Sequence, residues 1–176
     1  MTAPGSHQGM TGGIPIHVAS PLQYTMPGRI FYSTTLVPIL TSNGFRPLAA
    51  WDNAPTVGRS SAARRYVTLR PTGAAEAAAI AFAEANQAML DRCRGVFAVL
   101  DGTDVDSGVA AEVGYAAARG LPIVGWRSDI RRAGEPVATH VSLQVEHFIA
   151  ITGGQIVSDL DIAVRLMRTL TTPKRR

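Results

Sequence analysis

The sequence is short of cysteine, of aromatic residues and of long apolar runs, and each shortage excludes something. Its single cysteine, Cys93, excludes an internal disulfide and is typical of a reducing compartment. No apolar run approaches the roughly 18 residues that a membrane-spanning helix needs. Residues 1–13 are rich in Gly, Ser and Thr and lack the apolar centre of a signal peptide. We therefore expect a cytoplasmic protein whose residues 1–13 form a disordered tail.

The charge of the chain is positive but not concentrated. Its formal net charge is +4 and its isoelectric point is near 9.8. The basic residues are scattered, apart from a short basic tail at residues 172–176, and none form a patch interleaved with aromatic residues. Such a patch is typical of nucleic-acid-binding proteins. We therefore expect neither nucleic acid nor membrane as a partner, and a mild positive field can attract small anionic substrates.

Five short apolar runs predict strands, and helix-like stretches lie between them. The predicted strands are residues 14–19, 45–49, 95–100, 121–125 and 155–157. The predicted helices are residues 29–41, 74–92, 109–119, 141–151 and 160–170, the last with a capping-box-like pair at Ser158 and Asp161. This alternation predicts right-handed crossovers and a parallel sheet. The expected fold class is therefore α/β: a doubly wound, flavodoxin- or Rossmann-like sheet of five parallel strands with helices on both faces, formed by residues 14–171.

The chemistry is expected at the carboxyl ends of the strands, where ligands of doubly wound sheets bind. The third predicted strand runs into an acidic loop, and a helix is predicted to begin near Gly108. The carboxylates there are Asp101, Asp104, Asp106 and, in about the first helical turn, Glu112. A helix N-terminus stabilises an anion by about 0.3–1 kcal/mol. The spacing alone leaves three interpretations open: a catalytic carboxylate, a Mg²⁺ or Ca²⁺ site, and ordinary helix capping.

The same segment carries a longer pattern. Residues 101–116 read DGTDVDSGVAAEVGYA, and GLPIVG follows at residues 120–125. This pattern resembles the nucleoside 2-deoxyribosyltransferase family, and weaker similarity extends over roughly residues 14–170. In that family the motif glutamate, which is Glu112 here, attacks C1′ of the sugar and the base leaves. A second base or water then resolves the glycosyl-enzyme ester, with no metal and no cofactor.

The resemblance implies further site residues. Asp106 is expected to hold the 5′ side of the sugar or the base. The residues expected to bind substrate are Ser20, Asp52, Asn53, Asn86, Gly108, Ser142 and Gln144. In the family the segment that matches residues 142–144 completes the site of a neighbouring subunit, so a homo-oligomer, at least a dimer, is expected. The expected partners are a small nucleoside or nucleotide and a free nucleobase. Residues 52–72 are predicted to form a loop over the same edge.

Two departures from the family pattern concern proton transfer. His17 stands on the first strand where the family usually has an aromatic residue, often tyrosine. It can be a structural residue, or it can hydrogen-bond Glu112 or protonate the leaving base. Asn86 stands where the family has an aspartate near the base, and an amide cannot act as an acid. Either the base needs less help or another group supplies the proton, and the candidates are His17, Glu84 and Asp91.

A third departure leaves the reaction open. Ser142 replaces an asparagine donated by a neighbouring subunit, and a small hydroxyl there resembles the branch that hydrolyses nucleoside 5′-monophosphates. Arg29 and Ser20 can bind a phosphate, whereas Asp106 would repel it. We expect transfer of the sugar to another nucleobase, with hydrolysis of a nucleoside or its 5′-monophosphate as the alternative and a non-catalytic nucleoside-binding module as the second alternative. In either reaction the expected catalytic residues are Glu112, Asp106 and His17.

Overall fold

The computed structural model describes residues 12–53, 73–134 and 139–172, without the side chains of residues 52, 53 and 74–78. The expected tails at residues 1–13 and 172–176 and the predicted loop at residues 52–72 lie almost entirely outside these ranges. The described residues contain the whole of the predicted sheet. They also contain the acidic segment that follows its third strand.

The sheet has five parallel strands, and the predicted fold class is confirmed. The strands are β1 (Ile14–Ala19), β2 (Phe45–Leu48), β3 (Val96–Val99), β4 (Ile123–Trp126) and β5 (Ile156–Val157). Their order in the sheet is β2-β1-β3-β4-β5. His17 of β1 lies beside Leu48 of β2 and Val96 of β3. The chain order reverses between β1 and β3, and doubly wound sheets bind ligands at the carboxyl ends of the strands that flank such a reversal.

Helices connect the strands on both faces of the sheet. They are α1 (Met26–Phe31) and α2 (Val37–Ser42), joined by a π-helical turn (Tyr32–Leu36), then α3 (Gly73–Leu90), α4 (Ser107–Ala118), α5 (Leu143–Ile151) and α6 (Leu160–Thr171). Short 3₁₀ turns follow β1 (Leu22–Tyr24) and β2 (Ala50–Asn53). Across the described ranges, no helix combines the length and the apolar character needed to cross a membrane.

The predicted start of the first helix at Arg29 is wrong. The helix begins at Met26, because the side chain of Thr25 accepts a hydrogen bond from Gly28 N (3.1 Å) and caps the first turn. Pro27 lies inside that turn, where its missing N–H removes no helical hydrogen bond. Residues 26–28, which the sequence prediction left outside the helix, therefore form its N-terminus.

The predicted capping pair at Ser158 and Asp161 is also wrong. Asp159 caps α6 instead, since its Oδ1 accepts a hydrogen bond from Ile162 N (2.8 Å). The carbonyl of Ser158 accepts a hydrogen bond from Trp126 Nε1 (3.1 Å) and so ties this connection to the end of β4. The other predicted helix ends differ from the observed ones by a few residues, where helices commonly fray.

Apolar side chains cover both faces of the sheet. One core includes the buried residues Ile16, Val18, Leu36, Leu40, Phe97, Val164 and Met167. The other includes Ala19, Ala98, Leu100, Val109, Val113, Val145 and Ile149. Side chains alternate along a strand, so His17 shares the face of Ala19. His17 therefore points toward α4, the helix that carries Glu112.

Candidate active site

Glu112 lies in the second turn of α4, where the chain has just left the carboxyl end of β3. Asp106 is the N-cap of this helix, and its Oδ1 accepts hydrogen bonds from Gly108 N (3.0 Å) and Val109 N (3.1 Å). The Glu112 side chain is 15% exposed. The carboxylate therefore lies at the ligand edge of the sheet, mostly buried but with part of its surface open.

Two side chains from different elements contact the carboxylate of Glu112. Asn86 on α3 donates a hydrogen bond from Nδ2 to Oε1 (2.7 Å). His17 on β1, which is fully buried, places Nε2 2.9 Å from Oε2. The sequence singled out these three residues separately, and the structure brings them into one cluster, here called the Glu112 cluster.

The contact between His17 and Glu112 is close but poorly directed. Nε2 is at ion-pair distance from Oε2, yet neither ring nitrogen of His17 has an aligned hydrogen-bond partner in the described part of the chain. Asn86 Oδ1 is likewise a buried acceptor with no donor among the described residues. Buried polar groups are nearly always hydrogen-bonded, and catalytic groups are one class of exception. The cluster thus holds polar atoms that the fold itself does not use.

This arrangement suits a nucleophilic carboxylate. The amide of Asn86 stabilises the anion and fixes the orientation of its plane. An imidazole at the other oxygen can hydrogen-bond the carboxylate or transfer a proton beside it. Neither neighbour carries a permanent positive charge, so Glu112 is not neutralised by an arginine or lysine in these contacts. An electrophilic carbon that reached the carboxylate would meet an oriented anion.

Gly108 and Asp106 together form the N-terminus of α4. A Cβ at position 108 would lie 3.0 Å from Asp106 Oδ1, so glycine fits the capping geometry closely. Asp106 is partly buried and one of its oxygens is committed to the helix. Capping, one of the interpretations left open by spacing, is therefore one role of Asp106. Its contact with sugar or base, and that of Gly108, stay predictions.

Ser20 lies buried at the carboxyl end of β1. Its Oγ accepts a hydrogen bond from Leu22 N (3.1 Å) and so shapes the turn that leads to α1. Arg29 is exposed on α1 and lines, with Trp51 beyond β2, a small cavity of about 10 Å³. Both residues lie on elements that leave the ligand edge of the sheet. The proposed phosphate contacts of Ser20 and Arg29 stay predictions.

Asp52 and Asn53 follow β2 at the same edge. Their backbone belongs to the 3₁₀ turn Ala50–Asn53, which packs against α3, the helix that carries Asn86. Their side chains, like residues 54–72, lie outside the described part of the structure. Their contacts with substrate therefore stay predictions.

Ser142 and Gln144 lie at the start of α5. Ser142 is the N-cap residue, but its side chain makes no capping hydrogen bond. Glu146 Oε1 instead accepts hydrogen bonds from the backbone N of His140 and of Val141 (3.2 Å for the latter). Gln144 is exposed. Within the described ranges neither Ser142 nor Gln144 hydrogen-bonds Glu112, and their role in a neighbouring subunit's site stays a prediction.

The alternative proton donors, Glu84 on α3 and Asp91 directly after it, lie elsewhere. Asp91 Oδ1 accepts a hydrogen bond from the hydroxyl of Tyr115 (2.8 Å) and lies 3.4 Å from Arg119 Nη2. The same tyrosine oxygen accepts a hydrogen bond from Gln87 Nε2 (3.3 Å). Asp91 and Tyr115 thus brace α3 against α4. Glu84 is exposed on α3. Of the three candidate acids, His17 is the one in contact with Glu112.

Sequence reasoning missed a second polar cluster, here called the Asp101–Arg127 clamp. Asp101 Oδ1 accepts hydrogen bonds from Ser128 N (2.6 Å) and Asp129 N (2.8 Å), and Oδ2 accepts one from Ser128 Oγ (2.7 Å). Arg127, which is 4% exposed, donates in return to the carbonyls of Leu100 and Gly102 (3.0 Å for the latter). The available signal was an arginine directly after the buried strand β4 and an aspartate two residues after the neighbouring strand β3.

The connection after β4 continues the polar region of the clamp. Arg127 Nη2 also donates to the carbonyl of Arg131 (2.7 Å), and the Arg131 guanidinium hydrogen-bonds Asp129. These hydrogen bonds hold the pKa of Asp129 below its usual range. A larger cavity of about 570 Å³ opens at the carboxyl ends of β4 and β5 and is lined by Arg127, Asp129 and their neighbours. It includes none of the predicted site residues.

Comparison with known proteins identifies the family. The sequence model of the nucleoside 2-deoxyribosyltransferase family matches residues 16–167, which include β1, β3 and α4 with Glu112. The chain belongs to this family. The family resemblance inferred from residues 101–125 is therefore confirmed, and the matched range covers almost all of the sheet.

Solved structures share the fold of this nucleoside 2-deoxyribosyltransferase family member. A conserved protein from Enterococcus faecalis is 20% identical with a TM-score of 0.65, and the match covers 89% of this chain and 98% of that one. A 2-deoxyribosyltransferase from Bacillus psychrosaccharolyticus is 16% identical with a TM-score of 0.56, covering 89% and 95%. A CMP N-glycosidase from Clostridium botulinum is 11% identical with a TM-score of 0.50, covering 88% and 96%. These likenesses show the fold.

One curated relative also matches, over a limited stretch. It is an uncharacterized protein of Schizosaccharomyces pombe, 39% identical over 62 residues. The match covers 33% of this chain and 29% of that protein. The chain thus matches less than a third of that relative's length.

Proposed function

We propose that this protein cleaves the N-glycosidic bond of a nucleoside, with a 2′-deoxynucleoside as the first candidate, and transfers the sugar to another nucleobase. The observation that carries the proposal is the Glu112 cluster at the ligand edge of the sheet. Glu112 is oriented by Asn86 at one oxygen and approached by His17 at the other. Membership of the nucleoside 2-deoxyribosyltransferase family supports the same reaction.

The first half-reaction forms an ester on Glu112. A carboxylate oxygen attacks C1′ of the sugar, and the bond between C1′ and the base nitrogen breaks. The electron pair of that bond stays on the base, which leaves with a proton or accepts one after leaving. One difficult displacement is thereby divided into two easier ones. The carboxylate plays the part of the nucleophile in a retaining glycosidase.

Among the described side chains that contact the nucleophile, one can donate a proton to the leaving base. Asn86 has an amide where an acid would be expected, and an amide donates hydrogen bonds without giving up a proton. His17 Nε2 lies 2.9 Å from Glu112 Oε2, and an imidazole can donate or accept a proton through its ring nitrogens. We assign His17 the handling of this proton, and Asn86 the orientation of the carboxylate.

The second half-reaction releases the sugar. A nitrogen of a second base attacks C1′, the ester bond breaks, and Glu112 regains its negative charge. In this proposal Asp106, Ser20 and Gly108, with Asp52 and Asn53, surround the bound nucleoside. Ser142 and Gln144 of a neighbouring copy complete the site in a homo-oligomer, and the function resides in one domain formed by residues 14–171. The reaction needs no metal and no cofactor.

The test is product analysis with and without an acceptor. The protein is incubated with a panel of 2′-deoxynucleosides, each alone and each with a second free base, and the products are separated by chromatography. A new nucleoside supports transfer. Rapid acid quenching followed by mass spectrometry should find the sugar on the peptide that contains Glu112. If neither a new nucleoside nor released base appears with any nucleoside or nucleoside 5′-monophosphate, only the binding-module alternative is left.

Hydrolysis is the second candidate, because three observations favour it. The Ser142 hydroxyl makes no capping hydrogen bond, so it can bind a polar group of a ligand. Ser20 and the exposed Arg29 offer further donors for a phosphate. The structurally similar protein from Clostridium botulinum is itself a CMP N-glycosidase. Base released from a nucleoside 5′-monophosphate in the absence of an acceptor would support this candidate over transfer.

A further inference from the structure

We propose that Arg127 is a positioning residue for Glu112, acting through the Asp101–Arg127 clamp. This inference rests on the proposed function, in which Glu112 is the nucleophile. Arg127 itself does not contact the Glu112 cluster. It holds the first residues of the connection that leads from β3 to the helix carrying Glu112.

The contacts of Arg127 are those of a brace between two loops. Its Nη atoms donate to the carbonyls of Leu100 and Gly102, after β3, and of Arg131, after β4. Asp101 makes the reciprocal link by accepting from the backbone after β4. Arg127, after β4, thus donates to the loop after β3, and Asp101 in that loop accepts from the backbone after β4. The loop from β3 to α4 cannot shift without breaking several of these hydrogen bonds.

If Arg127 only filled space in the core, an uncharged side chain would serve as well. Arg127 is 4% exposed, and among the described residues its hydrogen-bond acceptors are backbone carbonyls rather than a carboxylate. Its Nε has no partner among the described residues. Burying an arginine with an unused donor is unfavourable compared with burying an apolar side chain of similar size. A role that depends on the guanidinium fork explains why an arginine stands at this buried position.

The brace is linked to the nucleophile by a short, tight connection. Gly102 has a φ of +135°, and a Cβ there would lie 3.0 Å from Asp104 O, so the chain turns sharply at this point. Asp104 Oδ1 accepts a hydrogen bond from Val105 N (2.7 Å), and the Asp106 cap follows directly. A displacement of the Gly102 carbonyl therefore passes to the first turn of α4. Glu112 lies one turn further on, and a misplacement of about 1 Å near reacting atoms can cost a rate factor of about 10².

The experiment compares Arg127→Met with Arg132→Met in the full-length protein. Arg132 is an exposed arginine of the same connection and serves as the matched control. Two readouts are used at a temperature well below both melting points. The first is kcat and KM for base release from the best nucleoside. The second, independent of activity, is the NMR chemical shift of the His17 ring at fixed pH, because this buried ring lies against Glu112.

The expected result is specific to position 127. Arg127→Met should lower kcat by about 10-fold or more with KM changed by less than about 3-fold, and should move the His17 signals toward those of Glu112→Gln. Arg132→Met should leave both readouts unchanged, and Arg127→Lys, which keeps donors at this position, should recover part of the loss. If Arg127→Met does not fold, the Arg127→Lys and Arg127→Gln variants provide the same two readouts.

The two readouts separate this inference from the proposed function. His17 signals that match the wild type in folded Arg127 variants would overturn the positioning role, whatever the rates. Equal losses in Arg127→Met and Arg132→Met would do the same. If the wild-type protein releases no base from any nucleoside, the proposed function fails, yet a shift of the His17 signals in Arg127→Met would still establish that Arg127 positions Glu112.

Discussion

Asp101 and Glu112 belong to the same strand-to-helix segment, and the fold uses their carboxylates differently. Asp101 accepts three hydrogen bonds from the connection after β4, two of them from backbone N–H groups. Glu112 accepts one well-formed hydrogen bond, from Asn86, and lies against His17 without good alignment. A carboxylate whose acceptor sites are filled by the chain stabilises the chain. A carboxylate whose neighbours have polar atoms without a hydrogen-bond partner is available to a ligand.

The unused atoms at Glu112 are costly in the isolated chain. His17 has two ring nitrogens and Asn86 one carbonyl oxygen that are buried and without an aligned partner among the described residues. An unsatisfied buried polar group costs about 1–3 kcal/mol. Arg127 Nε is a similar case, but it belongs to a side chain that makes three other hydrogen bonds. The comparison therefore predicts that substitutions in the Glu112 cluster mainly change rate, and those in the clamp change stability as well.

The largest effect is expected from Glu112→Gln. The amide keeps the shape and can still accept a hydrogen bond from Asn86, but it cannot form the ester with C1′. Base release should fall by about 10⁴-fold or more, as for other covalent nucleophiles. The melting temperature should change little, because glutamine keeps the side-chain shape and the hydrogen bond from Asn86. Asp104→Asn, at an exposed carboxylate of the same segment, is the control. Activity retained in Glu112→Gln would remove the nucleophile assignment.

A smaller but selective effect is expected from His17→Phe, which keeps an aromatic ring in a buried position. If the imidazole handles the proton of the leaving base, kcat should fall by about 10²-fold, within the usual range for general acid catalysis. The loss should nearly vanish for a substrate whose leaving group needs no proton, such as a nitrophenyl deoxyriboside. Equal losses on both substrates would mean that His17 orients Glu112 and transfers no proton.

Asn86→Leu should lower the rate less than Glu112→Gln does. The loss should be similar for substrates whose leaving group needs a proton and for those whose leaving group does not. It removes the hydrogen bond to Glu112 Oε1 at nearly constant side-chain volume. Hydrogen bonds to charged groups are worth about 1.5–3 kcal/mol, which corresponds to about 10- to 100-fold in kcat if the bond is needed in the transition state. Gln87→Leu on the same helix is the matched control, because Gln87 contacts Tyr115 instead. A change in KM alone would assign Asn86 to substrate binding rather than to orientation of the nucleophile.

The strands were predicted well from the sequence because the signal for each strand lies within a few neighbouring residues. Buried parallel strands are continuous apolar runs, and four of the five, such as residues 14–19 and 95–100, are easily seen. The start of α1 was predicted too late because proline and glycine, here Pro27 and Gly28, are as typical of the residues before a helix as of its first turn.

The site was predictable to a lesser extent, for a physical reason. Spacing alone did not separate a nucleophile from a cap or a metal ligand, and Asp106 does cap the helix. Glu112 was singled out by the family pattern, and its contacts with Asn86 and His17 depend on three elements meeting in space. Arg127 was missed because its partners are backbone carbonyls of a neighbouring loop, which leave no pairwise signal in one sequence.

The smallest effect on rate, and the clearest on stability, is expected from Asp101→Ala. It leaves the N–H groups of Ser128 and Asp129 without their acceptor at the end of β4. The region is partly exposed, so water compensates in part, and the free energy of unfolding should fall by about 1–2 kcal/mol in urea denaturation. Asp104→Ala is the control, since Asp104 Oδ1 accepts only from its own neighbour, Val105 N, among the described residues. Equal stability losses in the two variants would mean that filled acceptor sites do not mark the stabilising carboxylate, and the contrast between Asp101 and Glu112 would lose its physical basis.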